Sequence, residues 1–365
     1  MKHIICFHLF NDYSGSPKVL KTVLEGLLRK GYRVDLVTSK GGVLDELMGY
    51  ENLHIHHYSY HFSSMHALTM CRYTMVQAYT FLLALKWMFQ RDVVFYINTL
   101  LPVGPALAGR LTGKRVVYHY HENAFIKGAF YRMLAQMMKR LAHKIICVSN
   151  YQASFLSDNG KATVIPNALT RDFTEKLHPD PRSAFRRKTI LMLSSLKGYK
   201  GTKEFIILSQ RMPQYRFVIV INDTQEHIDT YVKDHHLHAT SQQNLKVFPR
   251  QNDVSPFYMQ ASLVLNLSDK NQVIETFGLT ALEAMRAGLP VIVPTVGGIA
   301  EMVVDGVNGY KTDVQEMDRI ERRIEEILSH EDLYIWMADN ALKHALEYDT
   351  EEMLRKMERV MEDEQ

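Results

Sequence analysis

The chain has 365 residues, of which 46% are hydrophobic and 23% charged, with a net charge of +3. That length allows two domains with separate cores, and the balance is that of a soluble globular protein. Three widely spaced cysteines, Cys6, Cys71 and Cys147, fit neither a disulfide framework nor a zinc site and point to a reducing, cytoplasmic setting.

The opening stretch "MKHIICFHLFND" turns polar too soon for a secretory signal. Strands are predicted at 3–10, 33–39, 92–98, 115–121 and 144–149, with helical patterns between several of them, such as 17–30 and 127–142. The longest apolar run, 74–89, is broken by Gln77 and Lys86 and falls short of a bilayer span. A polar, proline-containing stretch then interrupts the pattern, which restarts with strands at 189–195, 216–222, 245–249, 262–268 and 290–294. Residues 315–363 are charged and helical. Strands alternating with helices imply parallel, doubly wound sheets. The expected division is a first domain over 1–168, a linker over 169–188, a second domain over 189–345 and a helix over 346–365 that packs back on the first domain. Charge divides with it: residues 1–184 hold 22 Lys/Arg against 12 Asp/Glu, and the remainder 21 against 28. A basic first half suits an anionic membrane surface. No nucleic-acid motif accompanies it.

Four stretches carry chemistry. In "FNDYSGSPKVL" a strand gives way to a loop with Gly15 and a helix near Pro17, where exposed amides attract phosphate. In "YHYHEN" the two-residue period puts His119 and His121 on one face. His121 should emerge at the strand end to bond a sugar hydroxyl, while His119 should line the core with a bonded partner. No third ligand stands at a zinc spacing from them. In "SSLKGYKGTKEF" Lys197 and Lys200 straddle a glycine turn before a helix, a place for a diphosphate. In "ETFGLTALEA" Glu275, Thr276, Phe277 and Gly278 lead into a helix bearing Glu283. The amides of Phe277, Gly278 and Leu279 suit a phosphate, and the two glutamates suit sugar and ribose hydroxyls.

The segment "ETFGLTALEAMRAGLPVIVPTVGGIAEMVVDGVNGY" closely resembles the donor-site signature of the retaining glycosyltransferases of family 4. The resemblance implies the GT-B fold, an α/β architecture of two facing Rossmann-like doubly wound parallel-sheet domains with an interdomain cleft. It assigns the donor sugar to Glu275, the ribose to Glu283, a donor-sugar contact to His121 and the donor phosphates to the Gly15 loop. Lys200 falls on the family's diphosphate lysine. Ser195 stands where the family has an arginine, so either Lys197 replaces that cation or Lys200 acts with backbone amides. Arg250, in "VFPRQND", either stacks on the base or is simply solvated. The implied activity is retaining transfer of a sugar from a nucleoside diphosphate, preferably UDP, to a saccharide or lipid-linked acceptor in surface polysaccharide assembly.

No cofactor or divalent metal is expected, and no Asp-x-Asp cluster is present to hold one. The helix over 126–144, with an apolar stripe through Phe130, Met133, Leu134, Met137, Met138 and Leu141 flanked by basic residues, suits either contact with anionic lipid or packing on the core with its basic face solvated. The alternatives are a non-catalytic GT-B nucleotide-binding protein and a nucleotide-sugar epimerase. A dehydrogenase is disfavoured because no Gly-x-Gly-x-x-Gly turn follows a strand.

Overall fold

The computed structural model describes residues 3–63, 65–156, 160–235, 237 and 243–362. The chain divides into two compact units, Met1–Ala168 with Thr350–Gln365, and Leu169–Asp349.

The first unit holds seven parallel strands: β1 (His3–Phe7), β2 (Arg33–Ser39), β3 (Leu53–Tyr58), β4 (Val93–Asn98), β5 (Arg115–Tyr120), β6 (Lys144–Cys147) and β7 (Ala162–Val164). Their order is β3-β2-β1-β4-β5-β6-β7. Alternate residues feed two cores. Ile4 and Cys6 join α1 (Gly15–Arg29) on one face, while Ile5 and Phe7 join Trp87, α3 (Val103–Leu111) and α4 (Ala129–Leu141) on the other. Burial on both faces explains why β1, β4 and β5 read as almost unbroken apolar runs. A long helix, α2 (His66–Ala84), packs mainly on α3. Helix α1 begins at Gly15 and β1 ends at Phe7, so the connecting loop starts three residues earlier than expected.

The last helix, Thr350–Glu362, belongs to this unit although the chain has by then built the other. Met353, Leu354, Met357, Val360 and Met361 recur at helical spacing and are buried against α1. Gly26 permits the approach, since a Cβ there would lie 2.5 Å from the Leu354 methyls. Lys30 Nζ bonds Glu358 at 2.6 Å, the Tyr32 hydroxyl donates to Glu362, and Arg115 donates to the Val360 carbonyl at 2.9 Å.

The second unit repeats the plan with β8 (Thr189–Ser194), β9 (Arg216–Ile221), β10 (Leu245–Phe248), β11 (Leu263–Leu265), β12 (Val291–Val293) and β13 (Gly309–Lys311), ordered β10-β9-β8-β11-β12-β13 and all parallel. Residues 169–188 are not a free linker. They include the helix Pro181–Arg187, capped by the Asp180 side chain and seated on the second sheet through Ala184, whose carbonyl accepts from Ser262, and Phe185, which packs on Tyr334. Residues 346–349 likewise stay with the second unit, where Tyr348 packs on Phe277.

Met357 is fully buried between the last helix and α1. Met357→Ala should therefore cost about 2–4 kcal/mol of unfolding free energy. Urea titration of wild type and variant measures it; a loss below about 0.5 kcal/mol, the scatter of surface changes, would mean that the helix does not anchor the unit.

Candidate active site

In an open parallel sheet, ligands bind outside the carboxyl ends of the strands where the order reverses. The reversals lie between β1 and β4 in the first unit and between β8 and β11 in the second. Each unit gathers polar side chains there.

In the second unit, the loop after β8 carries Ser195, Lys197 and Lys200, and the loop after β11 carries Ser268 and Glu275. Lys200 Nζ donates to Glu275 Oε1, which also accepts from the Ser268 hydroxyl at 2.7 Å. Burial pulls the Lys200 ammonium pKa down, but the charge and hydrogen bond of Glu275 outweigh it and the net shift is upward. Lys200 is thus a fixed cation. Gly201 makes the approach of the two loops possible: its φ is +72°, and a Cβ there would lie 2.4 Å from the Leu267 carbonyl oxygen. Gly297, at φ +112°, meets the other side, where a Cβ would sit 2.4 Å from the Glu275 carbonyl oxygen that accepts from Gly298 at 2.9 Å. Lys270 adds a further tie, bonding Asp313 at 2.5 Å and Thr295 at 3.1 Å.

Gly278 caps the helix Leu279–Arg286, following Thr276 and Phe277. The first-turn amides of a helix lack intrahelical acceptors and suit an anion. Phe277 itself is buried against Tyr348, so only its backbone is available. Glu283 sits on this helix, and its Oε2 accepts from the buried Tyr258 hydroxyl at 2.5 Å. Lys197 is exposed and forms no ion pair among the described residues, whereas the buried Ser195 hydroxyl has no partner. Arg250, after β10, is held by Asn222 at 2.8 Å.

In the first unit, His8 follows β1, Asn98 ends β4 and His121 follows β5. The Asn98 amide links them: Oδ1 accepts from His121 Nε2 and Nδ2 donates to His8 Nδ1, each at 3.0 Å. His119 lies against His121 with the rings tilted by 43° and their centroids 4.0 Å apart, on the same face as expected from their spacing. Only its Nδ1 is bonded, to the Tyr96 hydroxyl at 2.7 Å, and its buried Nε2 has no partner, so the expectation of a fully bonded core histidine is half met. Burial pulls His8 down to about 4 and His119 to about 3, and burial with its two histidine neighbours takes His121 well below its ordinary value. All three are neutral imidazoles at pH 7. Glu122 turns inward and accepts from the Leu100 amide at 3.1 Å, holding the loop that follows Thr99, whose φ is +73°. Asn98, His8, Tyr258 and Ser268 escaped the sequence reading. They lie at strand ends or in a helix, and no motif marks them.

The apolar stripe of α4 does not face outward, which corrects the lipid assignment of 126–144. Leu134 and Met138 are buried, and Phe130, Met137 and Leu141 pack on the same core, leaving Met133 exposed. A helix covering a sheet must turn its apolar side to that sheet.

The family model "Glycosyltransferase Family 4" matches residues 13–173, and "Glycosyl transferases group 1" matches 173–344. The chain belongs to the family 4-like glycosyltransferases of GT-B fold. It is 24% identical over 269 residues to the uncharacterized glycosyltransferase MJ1178 of Methanocaldococcus jannaschii, covering 72% of each chain. For three other curated relatives the matched stretch is about half of their length or less. Among solved structures the fold matches Anabaena Alr3699/HepE in complex with UDP-glucose, with a TM-score of 0.79, 19% identity and complete coverage of both chains. It also matches WaaG, a glycosyltransferase involved in lipopolysaccharide biosynthesis, with a TM-score of 0.71, 18% identity and coverage of 99% and 100%.

The neutral histidines of this glycosyltransferase give it an acid liability. Unfolded histidine takes a proton near 6.5, whereas His8 and His119 in the fold do so only near 4 and 3. Between those values the unfolded chain binds more protons, so stability falls as pH drops below 6.5, by about 1.4 kcal/mol per histidine per pH unit. Urea midpoints measured from pH 7.5 to 5 should decline, and His119→Gln should flatten that decline; an unchanged slope would show that His119 is protonated in the fold.

Proposed function

We propose that the protein transfers a sugar from a nucleoside diphosphate, preferentially UDP, to a saccharide or lipid-linked acceptor with retained configuration and without a divalent metal. The observation that carries this reading is the Lys200–Glu275–Ser268 constellation four residues ahead of a helix start, at the reversal point of the second sheet. A fixed ammonium and a set of helix-start amides neutralise a departing diphosphate. Glu275 both holds Lys200 and accepts from donor-sugar hydroxyls, Glu283 takes the ribose, and the neutral His121 orients the donor sugar. With Ser195 in place of an arginine and Lys197 turned to solvent, the diphosphate depends on Lys200 and backbone amides. The acceptor hydroxyl attacks from the face of the leaving phosphate, which takes its proton. The complexes of HepE with UDP and UDP-glucose favour UDP, and the lipopolysaccharide role of WaaG favours a surface-glycan acceptor.

The reading is tested by UDP release from UDP-sugars in the presence of saccharide and lipid-linked acceptors. Lys200→Ala and Glu275→Ala should each lower turnover by about 100-fold or more. UDP should raise the melting temperature of wild type equally with and without EDTA. Normal turnover by either variant sinks the mechanism, and a UDP shift without transfer to any acceptor would favour the non-catalytic reading.

Contact with anionic lipid is re-sited to α2. Among the described residues no helix is long and apolar enough to cross a membrane. Leu68, Met75, Tyr79 and Leu82 nevertheless form one outward row on α2, with Met75 at 67% and Leu82 at 66% exposure, and Phe89 just beyond it at 88%. From 52 to 91 the sequence has no Asp or Glu, but carries Arg72, Lys86 and Arg91. An apolar row in an acid-free, basic segment suits the headgroup region of an anionic bilayer. Vesicles rich in phosphatidylglycerol should sediment the protein at low salt, and the double variant Met75→Glu/Leu82→Glu should weaken that binding by about tenfold or more. Equal sedimentation of the two proteins would remove α2 from the interface.

A further inference from the structure

The edge of the first sheet gathers a second set of chemistry-bearing side chains that sugar transfer does not use. Asp35 lies on β2, directly opposite His54 of β3 in the strand register, and His56 follows two residues later on the same face. One donor atom from each of Asp35, His54 and His56 lies within 4.8 Å of the others. Asp35 is almost fully buried, and His56 Nε2 stands 2.6 Å from its Oδ1. The other carboxylate oxygen is held from β1 by His3 Nε2 at 2.5 Å, and His3 Nδ1 in turn meets Gln90 at 3.2 Å. The Trp87 ring forms an apolar wall, with its centroid 5.7 Å from that of His56, while His54 opens to solvent.

We infer that Asp35, His54 and His56 form a binding site for a zinc-type divalent cation at the outer edge of the first sheet. Two imidazoles and one carboxylate are a donor set for zinc or cobalt, unlike the all-oxygen sets that magnesium and calcium require. Ligand bonds of about 2.0–2.2 Å place the donor atoms of such a site roughly 3–3.5 Å apart, so small rotations of His54 and His56 converge the three found here. His3 supplies the outer hydrogen bond that orients a ligating carboxylate, the kind of support that such sites carry. The fourth position faces solvent on the His54 side and takes water. The ion ties β3, which pairs only with β2, to its neighbour through side chains as well as backbone. An edge strand with a polar row facing water is the competing account of the same histidines.

The test uses the full chain without a polyhistidine tag, stripped with EDTA and desalted. Calorimetric titration with zinc chloride should give one ion per chain with micromolar or tighter affinity, and zinc should raise the melting temperature by several degrees. Cobalt(II) should develop the visible absorption of a four-coordinate site. His54→Ala, at an exposed position that leaves the fold intact by circular dichroism, and His56→Ala should each lose at least 100-fold in zinc affinity and the cobalt spectrum. Lys200→Ala should keep both. Absence of stoichiometric binding, or binding unchanged in His54→Ala and His56→Ala, overturns the site and leaves the edge-strand account.

Discussion

Two parallel strands cannot be joined by a tight turn; each connection must cross the sheet and return to the same end. That constraint governs the whole molecule. In both units it delivers the loops after the strands to one edge, and where the winding reverses, two neighbouring loops leave in opposite directions and open a crevice between them. Lys200 and Glu275 are 75 residues apart in sequence and His8 and Asn98 are 90 apart, yet each pair meets because its two residues follow or end strands that flank a reversal. The glycines serve the same geometry. Gly201 and Gly297 let backbone pass within contact of backbone, so that Glu275 is held from its side chain by Lys200 and from its carbonyl by Gly298.

The two crevices have opposite electrostatic characters, and the difference follows from burial. Glu275 keeps Lys200 charged against the pull of desolvation, which provides a cation fixed in place before any anion arrives. At the first unit's crevice no carboxylate among the described residues reverses that pull on His8, His119 or His121, and these imidazoles remain neutral. A neutral imidazole held by Asn98 can give or accept a hydrogen bond with a hydroxyl but cannot compete for a phosphate. The second unit thus presents a fixed charge at its crevice, and the first presents uncharged ring nitrogens.

Much of this was legible in the sequence because the strands near the reversals are buried on both faces. Continuous apolar runs such as "HIICF" and "RFVIVI" have no other economical reading, and polar residues at their ends mark the crevices. The 275–283 segment was legible for a different reason: its spacing is fixed by a backbone turn and a helix period together. What escaped lies at the margins. β3 was missed because an edge strand exposes one face and its alternating histidines hide the apolar pattern; β7 and β13 were missed at three residues each. The orientation of α4 stayed open because an amphipathic stripe records only that one side is apolar, not whether that side meets a sheet or a membrane. Partners such as Tyr258 and Asn98 could not be read at all, since only the fold brings them to Glu283 and His121.

The first unit departs most from a plain wound sheet on the side of β3 and α2. There the sequence carries no acidic residue across forty positions, 52–91, although His54 on the strand and about half of the helix residues are exposed. Exposed methionine, leucine and tyrosine add apolar area there. Within the unit that apolar area is left without cover. The opposite core, sealed by the returning helix through Met353, Leu354 and Met357, needs no such cover. The asymmetry between a closed face and an open one therefore leaves exposed apolar area of the first unit on α2, beside the loops that follow β1 and β4.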